Sequence, residues 1–203
     1  MARAAGNMNL PPLILASASP RRNELLRQIG CDFRIVPSNA SELHCEQLTA
    51  QEISQLNAYR KARDVAKKFP DALIVAADTL VCLGTKLFGK PRSLEEAYTM
   101  LERLSGKTHH VVTGICLLHL REHRQKLFSE TTSVKFHALD AVKIRRYLMQ
   151  INPLDKAGGY AIQHQGDEIV ENISGSYTNV VGLPVERLRE ELASWEHASQ
   201  RLS

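Results

Sequence analysis

The spacing of apolar positions predicts that strands and helices alternate through the first half of the chain. Short continuous apolar runs such as Leu13-Ile14-Leu15 are typical of buried strands, whereas apolar residues three and four positions apart indicate an amphipathic helix. Ser19 with Pro20 marks one helix start, and capping boxes at Thr49–Glu52 and Ser93–Glu96 mark two others. The predicted strands are residues 13–15, 33–36, 72–77 and 80–83, and the predicted helices are residues 20–29, 50–68 and 94–104.

The second half of the chain carries longer alternating segments. Residues 108–120 and 125–138 are strand-like and are separated by the charged residues 121–124, which predicts a long antiparallel hairpin. Asp140 caps a short helix that ends near Gln150. The pattern then predicts a loop at residues 153–166, a strand at 168–173, a turn at Gly175 and a final helix from Pro184.

This order of elements predicts an α/β protein in which a mixed sheet is flanked by helices, with a cleft between two lobes. No repeat, linker or low-complexity segment divides the chain. We therefore expect one domain at residues 13–195, between a disordered extension at residues 1–12 and a tail at residues 196–203.

The bulk composition narrows the functional classes. The 203 residues are 43% hydrophobic and 24% charged, and a net charge of +4 from interleaved acids and bases argues against a dedicated nucleic-acid binder but allows a small anionic substrate. No apolar stretch reaches the length of a membrane span and no signal peptide is evident, so we expect no membrane partner. The four cysteines lack C-x-x-C or zinc spacing, and free thiols suggest the cytoplasm. Neighbours in a strand face opposite ways, so His109 and His110 are not expected to share a metal.

The densest candidate chemistry lies at residues 17–22, S-A-S-P-R-R. A helix that starts at Ser19 leaves free backbone N–H groups beside the hydroxyl groups of Ser17 and Ser19 and the guanidinium groups of Arg21 and Arg22. That combination suits a phosphate. The alternative is an ordinary strand–turn–helix connection with a solvated pair of arginines.

Other candidate residues allow two interpretations each. Asp78 follows a buried apolar run, so it is either a catalytic base or metal ligand at a strand end, or a turn residue that bonds local backbone. Glu42, Lys61 and Lys90, taken one at a time, are more typical of solvated surface charges than of a site. The segment Gly158–Gln163 either closes on a ligand or makes a plain bend into a strand. The usual phosphate-loop, dinucleotide and nucleophile-elbow motifs are absent.

Seven short motifs occur in a fixed order along the chain. They are S-x-S-P-R-R at 17–22, R-K-A at 60–62, A-A-D-T at 76–79, G-K-P at 89–91, L-S-G at 104–106, L-D-K-A-G-G-Y-A-I-Q at 154–163 and N-V-V-G-L-P at 179–184. Together they resemble the Maf family of nucleoside triphosphate pyrophosphatases over about residues 13–192. Arg21 with its neighbour Arg22, Thr79 and Gln163 look like the branch of that family that acts on dTTP and UTP, and we expect Arg21, Thr79 and Gln163 to set specificity.

The resemblance implies a fold, a cofactor and roles for individual residues. The family fold is an elongated two-lobed α/β structure with a twisted mixed sheet, similar to that of inosine triphosphate pyrophosphatases. The family implies a divalent metal, Mg²⁺ or Mn²⁺, and suggests a homodimer. Asp78 matches its proton acceptor, and Glu42 with Asp78 would hold the metal, although Ser41 stands where the family often has the first acid of a pair. The residues that match its phosphate and metal site are Ser17 or Ser19, Arg21, Arg22, Glu42, Lys61 and Lys90.

We therefore expect hydrolysis of dTTP and UTP to the nucleoside monophosphate and pyrophosphate, with Asp78 activating water. The Gln163 amide offers a donor and an acceptor that match the pairing edge of uracil or thymine, unless it only satisfies loop backbone. Thr79 is small enough to leave room for the base ring. The alternatives are a non-catalytic nucleotide- or nucleic-acid-binding regulator on the same fold, and a phosphatase-like enzyme acting on a sugar phosphate. Asp78, Lys61 and Lys90 favour an enzyme, since binding alone needs no base.

Overall fold

A computed structural model describes residues 10–45, 47–163 and 165–199, so most of the predicted extension and residues 200–203 of the predicted tail lie outside the described residues. The strands are β1 Leu13–Leu15, β2 Phe33–Ile35, β3 Leu73–Leu83, β4 Lys86–Phe88, β5 Thr108–His119, β6 Arg124–Phe136 and β7 Val170–Ser174. The helices are α1 Pro20–Arg27, α2 Ala50–Ala66, α3 Leu94–Leu104, α4 Ala141–Gln150, α5 Tyr177–Val181 and α6 Val185–Ser199.

The seven strands form one mixed sheet in the order β2-β1-β3-β5-β6-β7, with β4 paired to β3. β2, β1 and the start of β3 run parallel, and every other pair is antiparallel. Crossovers through α1 and α2 connect the parallel strands, and the predicted hairpin of β5 and β6 belongs to the antiparallel part. The predicted α/β class, with a mixed sheet flanked by helices, is confirmed.

Helices cover both faces of the sheet because side chains alternate along β3. Val75 belongs to an apolar cluster with α1 and α6, whereas its neighbour Ile74 faces α2. Val81 lies on the same face as Val75 but packs in a different cluster, with α3 and α4. Thr79 lies between these two clusters, at the division that the sequence predicted as a cleft between lobes.

The structure corrects several sequence predictions. β3 is one continuous strand through Asp78 and does not end there, because β5 pairs with it along residues 73–82. β4 and α5 were not predicted. The capping box at Thr49 is confirmed. At Ser93 the side chain caps the helix, but the Glu96 carboxylate accepts from the backbone N–H of Arg92 and not from that of Ser93, so the box is incomplete.

No helix in the described part of the chain is long and apolar enough to cross a membrane.

Candidate active site

The predicted site residues surround one cleft at the open edge of β3. β1 pairs with residues 73–75 of β3 and β4 with residues 81–83, so within the described chain no strand covers the edge between them. The cleft that opens there has a volume of about 420 Å³. All the predicted site residues line it: Ser17, Ser19, Arg21, Arg22, Glu42, Lys61, Asp78, Thr79, Lys90 and Gln163.

The start of α1 forms one wall of the cleft. The Ser19 hydroxyl accepts from the backbone N–H of Arg22 at 3.5 Å, and Pro20 begins the helix. Ser17 Oγ accepts from the backbone N–H of Ser19 at 3.2 Å. The predicted helix start is therefore confirmed, and it places a helix N-terminus with Arg21 and Arg22 at the cleft, as an anion site requires.

Arg22 is held by three oxygen acceptors. Its Nε donates to Gly182 O at 2.9 Å, its Nη1 to Ser17 Oγ at 3.3 Å and its Nη2 to Thr79 Oγ1 at 3.0 Å. Burial lowers the pKa of this guanidinium, but an arginine stays charged in proteins. A guanidinium has five N–H donors, so two remain for a ligand.

Arg21 reaches across the cleft to the segment that follows α4. Its Nη1 donates to Asp155 Oδ2 at 2.9 Å, and Lys156 Nζ donates to Asp155 Oδ1 at 2.6 Å. Lys156 is buried and also donates to Asn152 O at 2.7 Å. Burial raises the pKa of Asp155, but Lys156 and Arg21 outweigh that effect and hold the pKa below its usual value. Asp155 is therefore an anion that joins the two walls.

Lys61 joins the two predicted metal-binding carboxylates. Its Nζ lies 2.8 Å from Glu42 Oε1 and 2.6 Å from Asp78 Oδ1. The Lys90 ammonium is 3.9 Å from Glu42 Oε1. Asp78 is 4% exposed, and its second oxygen accepts from Asn57 Nδ2 at 3.1 Å. The turn interpretation of Asp78 is wrong, because its carboxylate bonds to α2 rather than to local backbone.

Glu42 is partly exposed at the cleft mouth, yet its carboxylate is paired. Burial raises the pKa of Glu42, but the Lys61 ammonium, supported by Lys90 and Arg22, brings it below the usual value. At the preceding position, where an acid was missing, the Ser41 hydroxyl accepts from Arg60 Nη2 at 3.3 Å. Glu42 thus stays ionised at neutral pH without a second carboxylate beside it in sequence.

A glycine in β5 lets α2 approach Asp78. Gly114 is the register partner of Asp78, and a Cβ at Gly114 would lie 2.3 Å from the backbone carbon of Ser54. Asn57 and Lys61 follow one turn apart on the same side of α2. A side chain at Gly114 would therefore push away the helix that carries both partners of Asp78.

The predicted segment at residues 158–163 forms another part of the wall. Gly158 and Gly159 have φ of 72° and 73°, which glycine adopts readily. The Tyr147 hydroxyl accepts from the backbone N–H of Ala161 and donates to its carbonyl, both at 2.9 Å, so it anchors the segment. Among the residues that the structure describes, the Gln163 amide has no hydrogen-bond partner. This observation contradicts the interpretation that it only satisfies loop backbone.

A buried histidine contacts the same segment through Tyr160. His109 is completely buried, and its Nε2 is 2.9 Å from the hydroxyl oxygen of Tyr160. Burial, with a smaller contribution from His110, lowers the pKa of His109 to about 4. His110 is exposed on the opposite face of β5, as the alternation of side chains along a strand predicts.

Comparison with known proteins assigns the chain to a family. The family model described as Maf-like protein matches residues 12–195. The chain belongs to the Maf family. Two relatives of this Maf protein are both named dTTP/UTP pyrophosphatase. The one from Carboxydothermus hydrogenoformans is 45% identical over 90% of this chain and 98% of the relative. The one from Ruminiclostridium cellulolyticum is 47% identical over 87% of this chain and 92% of the relative.

A solved structure gives a much weaker likeness. A HAM1 protein from Coxiella burnetii matches 63% of this Maf chain and 73% of its own, with 17% identity and a TM-score of 0.42. That likeness is too low to support a conclusion, so the fold assignment rests on the sheet itself.

Sequence reasoning missed three residues that line the cleft or bond the residues lining it. Asn57 bonds Asp78, and it also exchanges hydrogen bonds with both backbone groups of Leu43, so it ties the loop that carries Glu42 to the buried carboxylate. No local signal marked it. Asp155 and Lys156 lie inside the motif at 154–163, but the sequence prediction gave neither residue a role in the site.

Proposed function

We propose that this Maf protein hydrolyses dTTP and UTP to the nucleoside monophosphate and pyrophosphate. The observation that supports this most is a nearly buried carboxylate, Asp78, in one cleft with the cations Arg21, Arg22, Lys61 and Lys90. The choice of dTTP and UTP as substrates comes from the relatives named dTTP/UTP pyrophosphatase, which this chain matches over almost their full length.

The cations of the cleft offset the negative charge of the substrate. A nucleoside triphosphate carries several negative charges, and a nucleophile is repelled until they are offset. Arg22 has two free N–H donors, and the α1 N-terminus adds backbone donors. Arg21 and Lys90 line the cleft with the same sign of charge. Such fixed groups stabilise a transferring phosphoryl group without having to reorganise during the reaction.

Asp78 then serves as the general base. It takes a proton from a water molecule whose oxygen attacks the α-phosphorus, and the bond from that phosphorus to the bridging oxygen breaks. The electron pair leaves with pyrophosphate. Lys61 and Asn57 each bond one oxygen of Asp78 and so fix the plane of the carboxylate, while each oxygen keeps a further lone pair for the proton.

The donor chemistry fits a divalent metal, Mg²⁺ or Mn²⁺. Glu42 and Asp78 offer carboxylate oxygens close enough together for one ammonium group to contact both. The described residues contain no cluster of three or more His, Cys, Asp or Glu that could form a full cage. Mg²⁺ commonly takes one or two carboxylates and completes its shell with substrate phosphates and water. Bound by Glu42 and Asp78, the metal would supply charge neutralisation at those phosphates.

Base specificity is assigned to Arg21, Thr79 and Gln163. The unpaired Gln163 amide can donate to a carbonyl and accept from the N–H of uracil or thymine. Thr79 is next to Asp78, and its hydroxyl accepts from Arg22. A site built to hydrogen-bond a ligand rejects ligands that leave its polar groups unpaired. The homodimer and the cytoplasmic location remain predictions.

The test is a screen of purified protein over dTTP, UTP, CTP, ATP and GTP, with pyrophosphate and orthophosphate measured separately. We expect pyrophosphate from dTTP and UTP, and loss of turnover in excess EDTA. Orthophosphate as the first product would support the phosphatase alternative. Tight nucleotide binding without any turnover would support the regulator.

A further inference from the structure

A closed ring of hydrogen bonds lies behind Arg22. One branch runs from Arg22 Nε to Gly182 O, and the backbone N–H of Gly182 donates to Asn179 O at 3.0 Å. The other branch runs from Arg22 Nη2 to Thr79 Oγ1, across 3.0 Å to Thr113 Oγ1, and on to Asn179 O at 3.1 Å. Both branches therefore start at one cation and end at one carbonyl oxygen.

The number of protons fixes the direction of the second branch. Asn179 O has no proton, so the Thr113 hydroxyl must donate to it. A hydroxyl carries one proton, so Thr113 can only accept from Thr79, and the Thr79 proton must point to Thr113. Thr79 consequently presents only lone pairs toward the cleft, which is what the Nη2 donor of Arg22 needs.

We propose that Thr113 is a positioning residue for phosphate binding, because it holds the Thr79 hydroxyl as a pure acceptor and thereby fixes the guanidinium of Arg22. Thr113 is completely buried and does not line the cleft, so it acts only through Thr79 and Arg22. With three of its five donors committed, Arg22 offers its remaining two in a fixed orientation and loses little freedom when a phosphate binds. This inference rests on the proposed function only in naming the phosphate as part of a nucleotide.

Gly182 closes the first branch at a backbone position that favours glycine. Its φ of 124° is a conformation that other residues rarely adopt. The side chain of Asn179 is also buried, with Nδ2 donating to Val111 O and to Thr132 Oγ1, each at 3.0 Å. The carbonyl that ends the ring is thus fixed to the sheet.

The experiment replaces Thr113 with Val, which keeps the volume and removes the hydroxyl. The Kd for inorganic pyrophosphate, measured by calorimetry, should rise about tenfold, as expected when one buried hydrogen-bond network loses a member. The KM for dTTP should rise by a similar factor while kcat stays within about threefold. Thr113→Ser, which keeps the hydroxyl, should restore both constants.

Thr132→Val is the matched control. Thr132 is equally buried and also bonds Asn179, but its hydrogen bonds go to Asn179 and Ser176 and not to Thr79. We expect it to lower Tm about as much as Thr113→Val while it leaves the Kd for pyrophosphate unchanged. An equal loss of affinity in Thr132→Val would overturn the proposal, since disturbance of Asn179 would then be the cause.

A double-mutant cycle with Thr79→Val separates a positioning role from general damage. If Thr113 acts through Thr79, the second substitution should change the Kd for pyrophosphate by less than about twofold. Additive losses contradict the proposal. If Thr113→Val does not fold, Thr113→Cys replaces it, since a thiol bonds weakly, and an unchanged Kd there also overturns the inference. Pyrophosphate binding needs no turnover, so failure of the proposed hydrolysis would be seen separately with wild-type protein and dTTP.

Discussion

Asp78 and Thr79 are neighbours in β3, yet their side chains face opposite sides of the sheet and enter different chemistry. On the Asp78 side, the ammonium of Lys61 bonds two carboxylates. On the Thr79 side, the guanidinium of Arg22 bonds only neutral oxygens. The first arrangement has groups that can take up a proton, whereas the second can only orient a cation.

Under the proposed mechanism, the two faces of this strand have separate tasks. Damage on the Asp78 side should lower kcat, because it removes or misplaces the base. Damage on the Thr79 side should raise KM, because it weakens phosphate binding. Since both side chains reach the same cleft from adjacent positions, the open edge of β3 is what brings the two tasks together.

The largest effect should come from Asp78→Asn. Loss of a general base lowers kcat by about 10²–10⁴-fold, and we expect little change in KM because the phosphate-binding cations remain. Steady-state kinetics with dTTP measure both constants. Asp71→Asn, which removes an exposed carboxylate that pairs with Arg121 and does not line the cleft, is the matched control and should keep full activity. An Asp78→Asn variant that melts early but retains wild-type kcat would refute the catalytic role.

Mild acid should destabilise the fold through the Thr79 side of the sheet more than through the Asp78 side, because His109 lies on the Thr79 face. The unfolded chain takes up a proton at His109 near pH 6.5, but the folded chain does so only near pH 4, so stability falls as the pH drops through this window. Each pH unit is worth about 1.4 kcal/mol, which gives a loss on the order of 3 kcal/mol. Urea unfolding at several pH values measures it.

His109→Gln provides the comparison for that titration. It should flatten the fall in unfolding free energy between pH 6.5 and 4. On the Asp78 side, the lowered pKa of Glu42 means that its contribution is lost only below the pKa of an ordinary glutamate. Parallel pH curves for wild type and His109→Gln would show that His109 does not set the window.

Arg22→Lys should raise KM more than it lowers kcat. Lysine keeps the charge but has no planar fork, so it cannot bond Gly182 and Thr79 and still offer two donors to a phosphate. We expect KM for dTTP to rise on the order of 30-fold, as for loss of a charge-assisted bidentate contact. Arg27→Lys, at the other end of α1, is the control and should change neither KM nor kcat. A fall in kcat without a rise in KM would contradict this prediction, because Arg22 would then act in the chemical step, as Asp78 does, and not in phosphate binding.

The smallest effect concerns neither face of β3 but the wall at residues 158–163. Gln163→Ala should narrow the preference for dTTP over GTP by about tenfold, because one pair of hydrogen bonds to the base is lost. The measurement is kcat/KM for both nucleotides. An unchanged ratio would remove Gln163 from base recognition.

Sequence reasoning succeeded where the deciding interactions are local. The start of α1 was predicted from Ser19 and Pro20 because capping acts within one turn, and the long hairpin of β5 and β6 was predicted from alternation and a charged turn. Motif order grouped the predicted cleft residues except Glu42, which lies in none of the motifs, and the structure brings all of them to one place.

It failed where the partner is distant in the chain. The continuation of β3 past Asp78 depends on pairing with β5, about 35 residues later, and no local pattern encodes that pairing. Asn57 and Thr113 looked like ordinary polar positions, since their partners Asp78 and Asn179 lie 21 and 66 residues away. Their contacts are visible in the tertiary structure alone.

The central claim is that water attacks the α-phosphorus in this cleft, and hydrolysis of dTTP in water enriched in ¹⁸O tests it most directly. Mass spectrometry of the products locates the label. We expect one ¹⁸O atom in the nucleoside monophosphate and none in pyrophosphate, because the new bond forms at the α-phosphorus. Label in pyrophosphate or in orthophosphate would place the attack at another phosphorus and contradict the account.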